Sequence, residues 1–289
     1  MLNNQDHFSL NLNVRGLEES ATLAINDQSK NLIYQGKSVY RLGLGQSPFP
    51  VPASVQEALR QNAHQKDYLP VQGLRALREA VSRHHAKYDG IHFNPDSVLI
   101  GPGSKELMFL LQLSYHGDLV IPTPCWVSYS PQAQIVGRPV VTIATTFENR
   151  WRLQPDSLHQ LCKKDPGRPR IVILNYPGNP EGGTYNKETL KEIAEIARKY
   201  DLILLSDEIY GKLTYNGEHV SIARYYPEGT IVSSGLSKWC GAGGWRLGTF
   251  TFPESLKWLQ DAMASVASET YTSTSAPIQY AAVRAFEGG

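Results

Sequence analysis

Residues 201–210 read DLILLSDEIY. Leu202, Ile203, Leu204 and Leu205 make both faces of an extended chain apolar, and the run stops at Ser206, Asp207 and Glu208. A strand that is apolar on both faces is covered on both, the mark of a mainly parallel sheet between two layers of helices. RIVILNYP at 170–177 has the same form. Five more runs repeat it: SVLIGPG (97–103), DLVIPTP (118–124), PVVTIAT (139–145), TIVSSGLS (230–237) and LGTFTF (247–252). The fold class is therefore α/β, a three-layer α/β/α domain with a mainly parallel sheet of mostly seven strands.

Between these runs the apolar period changes to that of a helix. SKELMFLLQLSYH (104–116), SYSPQAQIVG (128–137) and NKETLKEIAEIARKYD (186–201) fit it. The last has Asn186 at the cap position, Glu188 in the first turn and Lys199 near the end, as the helix dipole favours. Nearer the start, LEESATLAINDQSKNLIYQGK (17–37) reads as one amphipathic helix. SVYRLGLGQSPFPVP (38–52) reads as an extended arm broken by Gly45, Pro48, Pro50 and Pro52. VPASVQEALRQNAHQ (51–65) and GLRALREAVSRHHAKYDG (73–90) add two more helices. The division expected is an N-terminal helix and arm over 1–47 and a large domain over 48–289.

Bulk properties narrow the function. The 289 residues are 41% hydrophobic and 19% charged, with net charge +1, which gives no electrostatic reason to expect nucleic acid or an anionic membrane as partner. The apolar runs are far too short to cross a bilayer, and MLNNQDHFSLNLNVRG (1–16) has no basic-then-apolar signal pattern. Cys125, Cys162 and Cys240 are too far apart in sequence to suggest a disulfide framework or metal cluster, so a cytoplasmic chain with reduced thiols is expected. His84 and His85 are adjacent and point to different sides of a helix, which argues against chelation.

Ligands of parallel α/β sheets bind at the carboxyl ends of the strands. The segments there are GPGSKE (101–106), PTPCWVSY (122–129), NYPGNPEGG (175–183), SDEIY (206–210) and SGLSK (234–238). Taken singly each has a plain structural reading: a turn, a packed Trp126, a capping Asp207, a solvated Lys238. Together they bring an anion-binding turn, a flat aromatic, an Asn, an Asp with a Tyr three residues on, a Lys and an Arg to one rim. That set suits pyridoxal phosphate, whose aldehyde takes a lysine and whose ring nitrogen takes a carboxylate. A lysine near other cations has a lowered pKa and is a better nucleophile.

GLSKWCGAGGWRLG (235–248) resembles the lysine signature of the class I pyridoxal-phosphate aminotransferases across its whole length. NPEG (179–182), SDEIY and YLPVQGLRALREAV (68–81) resemble that family's other segments, in the same order, with 28 residues from Asn179 to Asp207 and 31 from Asp207 to Lys238. The resemblance implies the large domain of the pyridoxal-phosphate transferase fold type I. It implies Lys238 as the Schiff-base lysine, Asp207 at the pyridine nitrogen, and Tyr210 and Asn179 at the phenolic oxygen. Trp126 would stack on the ring. Gly103, Ser104, Lys105 and Arg246 would hold the phosphate, with Ser237 or Ser233 assisting. Tyr68 would reach the neighbour's phosphate in a homodimer with shared sites, and Gly45 and Asn179 would lie at the substrate. The activity implied is ping-pong transfer of an amino group between an amino acid and a 2-oxo acid, leaning toward aspartate or prephenate-type substrates. A C–S lyase, or a cofactor-binding remnant with little catalysis, would use the same residues.

Three departures stand out. Glu181 replaces the family's threonine and is expected to turn to solvent. Gly235 replaces a common phosphate-binding serine. The sequence stops at AAVRAFEGG (281–289), so the small C-terminal domain, with the arginine that grips the substrate carboxylate, is expected to be absent. The N-terminal helix is then expected to leave apolar surface exposed. Trp239 and Trp245 are expected to pack rather than react.

Overall fold

The computed structural model describes residues 10–43, 45–215 and 217–288. The first nine residues of the stretch searched for a signal pattern, and Leu44 of the arm, lie outside them. The strands are β1 (Val98–Gly101), β2 (Asp118–Thr123), β3 (Val140–Ala144), β4 (Arg170–Asn175), β5 (Ile203–Asp207), β6 (Thr230–Gly235) and β7 (Gly248–Thr251). All seven coincide with the runs read from sequence, and they form one sheet in the order β1-β7-β6-β5-β4-β2-β3. β2 pairs in parallel with β3 and β4, β4 with β5, and β5 with β6. β7 alone runs backwards, antiparallel to both β1 and β6.

Residue parity along β5 shows why the sheet is covered on both faces. Ile203 and Leu205 join a cluster with Leu107, Leu111, Leu259 and Met263, from α4 (Ser104–Ser114) and α8 (Lys257–Thr270). Leu204 joins the opposite cluster with Leu158, Leu190 and Ile193, from α6 (Pro155–Lys164) and α7 (Lys187–Lys199). Burying each such side chain contributes about 1.5–3 kcal/mol. A third cluster joins α2 (Ala53–Asn62), α3 (Arg75–His84) and α9 (Ala276–Phe286) to Val98, Ile100, Leu236 and Leu247, with Trp239 and Trp245 packed against it.

α7 forms as its sequence dictates. The Asn186 side chain accepts the Thr189 N–H at 2.8 Å, and Leu190, Ile193, Ala194 and Ala197 make the buried stripe. α3 gives way to one wider turn, His85–Asp89, stopped by Gly90. The rings of His84 and His85 stand 84° apart and serve different partners: His84 the Phe286 carbonyl, His85 the Asp89 carboxylate. α5 (Tyr129–Ile135) is shorter than its sequence pattern, and α1 (Ala21–Tyr34) buries none of its side chains.

Candidate active site

The pairing register lines up the strand ends. Asn175 is opposite Asp207, Asp207 opposite Ser233, and Gly235 opposite Gly248. Because β7 is reversed, its beginning stands where the others end. Arg246, two residues before it, therefore reaches the same rim as Asp207 and Lys238. A cavity of about 400 Å³ opens there, lined by Gly45, Ser104, Lys105, Trp126, Asn179, Asp207, Tyr210, Ser237, Lys238 and Arg246.

One end of the cavity is built for an anion. Gly103 has φ +95° just ahead of α4, and a Cβ on it would collide with the Arg246 guanidinium. A Cβ on Gly248 would collide with the Ser104 N–H. Glycine at 103 lets the guanidinium approach the start of α4, and glycine at 248 lets β7 pass against it, where first-turn N–H groups have no partner within the helix. Arg246 takes a left-handed backbone, φ 53° and ψ 61°, and also donates to the Gly243 carbonyl at 2.8 Å. Lys105 stands with it, its pKa lowered by burial and by the Arg246 charge.

Asp207 marks the other end and is 3% exposed. The Tyr129 hydroxyl donates to its Oδ2 at 2.6 Å, and Ser233 Oγ to its Oδ1 at 3.4 Å. Burial still raises its pKa to about 6, against the hydrogen bonds from Tyr129, the Ile209 backbone and Ser233. Asn175 Nδ2 donates to the Asp207 carbonyl at 3.0 Å, while Asn175 Oδ1 accepts the Asn179 N–H at 2.8 Å. Asn179 Nδ2 in turn donates to the Tyr210 hydroxyl at 3.4 Å. The Lys238 ammonium lies 5.4 Å from the centre of the Tyr210 ring and donates to the Gly45 carbonyl at 2.8 Å. Burial lowers its pKa, Asp207 works against this, and Arg246 lowers it further.

Sequence reasoning brought most of this set to the rim and missed part of it. Tyr129 was not singled out; its signal is its place three residues after Trp126, whose ring meets it edge-on at 5.3 Å. Asn175, Gln46, Leu23 and the glycines 243 and 244 also line the cavity. Tyr68 does not line it and is 88% exposed. Ser233 faces Asp207 rather than the anion end, which removes it as a phosphate contact. No side chain fits at Gly235, where a Cβ would stand 2.6 Å from the Leu247 carbonyl. Glu181 does not turn to solvent: it is half-buried over Gly178, in a small recess with Cys125 and Tyr185, and burial raises its pKa.

The profile of the family "Aminotransferase class I and II" matches residues 37–288. The chain belongs to that family. It is 34% identical to an aspartate aminotransferase of Geobacillus stearothermophilus over 284 residues, 95% of this chain and 71% of that protein. It is 33% identical to an aspartate/prephenate aminotransferase of Thermus thermophilus, covering 96% of this chain and 71% of the relative. Among solved structures, aspartate aminotransferase from Thermus thermophilus with maleate superimposes with a TM-score of 0.90 at 32% identity, over 96% of this chain and 72% of that one. Class I and II aminotransferases use pyridoxal phosphate. The residues present fit that group. A glycine-cleared anion cradle, a flat indole, a buried carboxylate and an amine of lowered pKa surround one space of suitable size.

Proposed function

We propose that this aminotransferase moves the amino group of an acidic amino acid to a 2-oxo acid, with Lys238 as the amine that carries the cofactor. The observation that supports this most is that Lys238, Asp207 and Arg246 line one cavity. Pyridoxal phosphate, when bound, supplies an aldehyde that captures amines and a ring that accepts the electron pair released at the substrate's Cα. The Arg246 guanidinium and the backbone N–H groups of the turn at Gly103, Ser104 and Lys105 would hold its phosphate, with Ser237 beside them. Trp126 flanks the ring. Asp207 holds the ring-nitrogen proton, and Asn179 and Tyr210 bind the phenolic oxygen. Lys238, with its lowered pKa, takes and returns the proton at the substrate's Cα.

Lys105 supports the acidic preference. It lines the cofactor cavity and also a neighbouring one beside Ser20 at the start of α1. An ammonium there suits a second carboxylate of a substrate that sits by Gly45 and Asn179, which line the cofactor cavity. The names of the relatives, aspartate and aspartate/prephenate aminotransferase, lean the same way. The reading extends to a homodimer in which exposed Tyr68 reaches the neighbour's phosphate. It takes residues 1–47 as part of a smaller unit beside a cofactor unit over 48–289. A cytoplasmic location accords with the free thiols of Cys125, Cys162 and Cys240. No helix among the described residues is long and apolar enough to cross a membrane.

The test is to load the chain with pyridoxal phosphate, reduce with borohydride and map the labelled peptide. The label should fall on Lys238, and a label elsewhere, or none, overturns the assignment. Adding aspartate to the unreduced, loaded chain should bleach its visible band as the amino group is transferred. Release of ammonia and pyruvate from an amino acid that carries a sulfur leaving group on Cβ, offered in place of aspartate, would point to elimination instead.

A further inference from the structure

Asp207 turns its side chain into the cavity at the end of β5. Its neighbour Glu208 faces the opposite side of the sheet, as strand alternation requires. Glu208 is 6% exposed, and its carboxylate is fully engaged. Oε1 accepts from Ser206 Oγ at 2.7 Å and from Ser221 Oγ at 2.6 Å, and Oε2 meets His219 Nε2 at 2.7 Å. The Tyr176 hydroxyl accepts the Ile222 N–H at 2.7 Å and lies 3.2 Å from Ser206 Oγ. Burial pulls the His219 pKa down, but the Glu208 charge and hydrogen bond outweigh it and leave it raised. A buried carboxylate persists only with such partners.

These bonds join residues 206–208 to residues 219–222, the two ends of the segment 209–218. Tyr210 lies in that segment. Among its described residues the segment's own backbone bonds, Gly211 to Glu208 and Leu213 to Tyr210, are local. The Glu208 carboxylate touches both ends at once.

We propose that Glu208 and His219 are positioning residues: on the reverse face of the sheet they clasp the loop that carries Tyr210, and so fix its hydroxyl beside Asn179 on the cofactor face. This rests on the reading of Tyr210 as a contact of the phenolic oxygen. The clasp acts through the loop, since neither residue lines the cofactor cavity. It turns one carboxylate into a link between the strand that ends at Asp207 and the loop that presents Tyr210. The two cofactor contacts are thereby held as a unit.

The test uses the full chain and two readouts. Hydrogen exchange of the 209–218 amides is measured in the cofactor-free chain. The pH midpoint of the visible absorption is measured after loading. Glu208→Ala should speed exchange in 209–218 by about tenfold or more while peptides from β1 to β4 keep wild-type rates. It should also move the absorption midpoint to higher pH, since a loosely held hydroxyl stabilises the deprotonated form less. Glu208→Gln keeps an acceptor for the two serines and an amide to donate to a neutral His219, so it should restore most of the protection. Ser221→Ala removes one of the bonds at the far end and leaves that of His219, so it should give a smaller rise in the same peptide even if Glu208→Ala fails to fold. Unchanged exchange in 209–218, or equal acceleration in every strand, overturns the clasp. Faster loop exchange with an unmoved midpoint overturns the link to Tyr210. A wild-type chain with no visible band after loading would instead sink the cofactor reading, and the exchange data would still decide the clasp.

Discussion

Asp207 shows how one residue divides stability from function. Its pKa stands at about 6, above the ordinary 3.8, because burial penalises the charge. A carboxyl with a raised folded pKa favours the fold while protonated, and loses that advantage as pH rises from about 4 through 6. Between about pH 4 and neutral pH this group therefore costs the cofactor-free chain stability on the order of a few kcal/mol. Asp207→Asn should therefore raise the melting temperature of the cofactor-free chain at pH 8, with the gain shrinking toward pH 4.5, and should abolish cofactor retention. Equal gains at both pH values would contradict this account. Tyr129→Phe removes the hydrogen bond that holds Asp207 down. The acid limb of cofactor binding should then move to higher pH in a titration of the bound chromophore. Asp207 was legible from sequence because it ends an apolar run. Tyr129 was not, because its bond spans 78 residues and depends on the angle of α5. Glu181 was misread for a related reason: only the folded loop brings it back over Gly178.

Among the elements, the end of a helix and the direction of a strand matter most. Asn186 caps α7 with a single side-chain bond, so Asn186→Ala should cost about 1 kcal/mol of stability in a denaturant titration and Asn186→Gly only a few tenths. Gly103→Ala acts on the start of α4. It forces a Cβ into a left-handed position and against the Arg246 guanidinium, so cofactor affinity should fall by at least tenfold in a binding titration. A wild-type affinity in that variant would remove the cradle from the account. The strands were readable because a double-faced apolar run has few alternatives. α6 went unread although its signals are present: Pro155 and Asp156 in the first turn, Lys163 and Lys164 in the last. The reversal of β7 was not readable, since LGTFTF looks the same in either direction. That reversal is what brings Arg246 to the rim.

Across the whole molecule, apolar exposure is uneven. Half of the exposed large apolar side chains among the described residues fall between residues 10 and 49, including Leu12, Ile33, Tyr34, Tyr40 and Phe49. The exposure expected of the N-terminal helix is thus present, and it extends along the arm. Replacing Ile33 and Tyr34 together with serine should lower binding of a hydrophobic dye and leave the melting temperature nearly unchanged. A large loss of stability would mean that α1 contributes more packing than its exposure shows. The arm is also tied to the site by the bond from the Lys238 ammonium to the Gly45 carbonyl. The same amine is the one proposed to take the cofactor. On that proposal, loading would be an exchange of partners, in which the lysine gives up its bond to the Gly45 carbonyl to hold the cofactor. A protease should consequently nick the arm around Tyr40 and Leu42 at different rates in the loaded and empty chains, and the digestion pattern would reveal occupancy without any substrate being turned over.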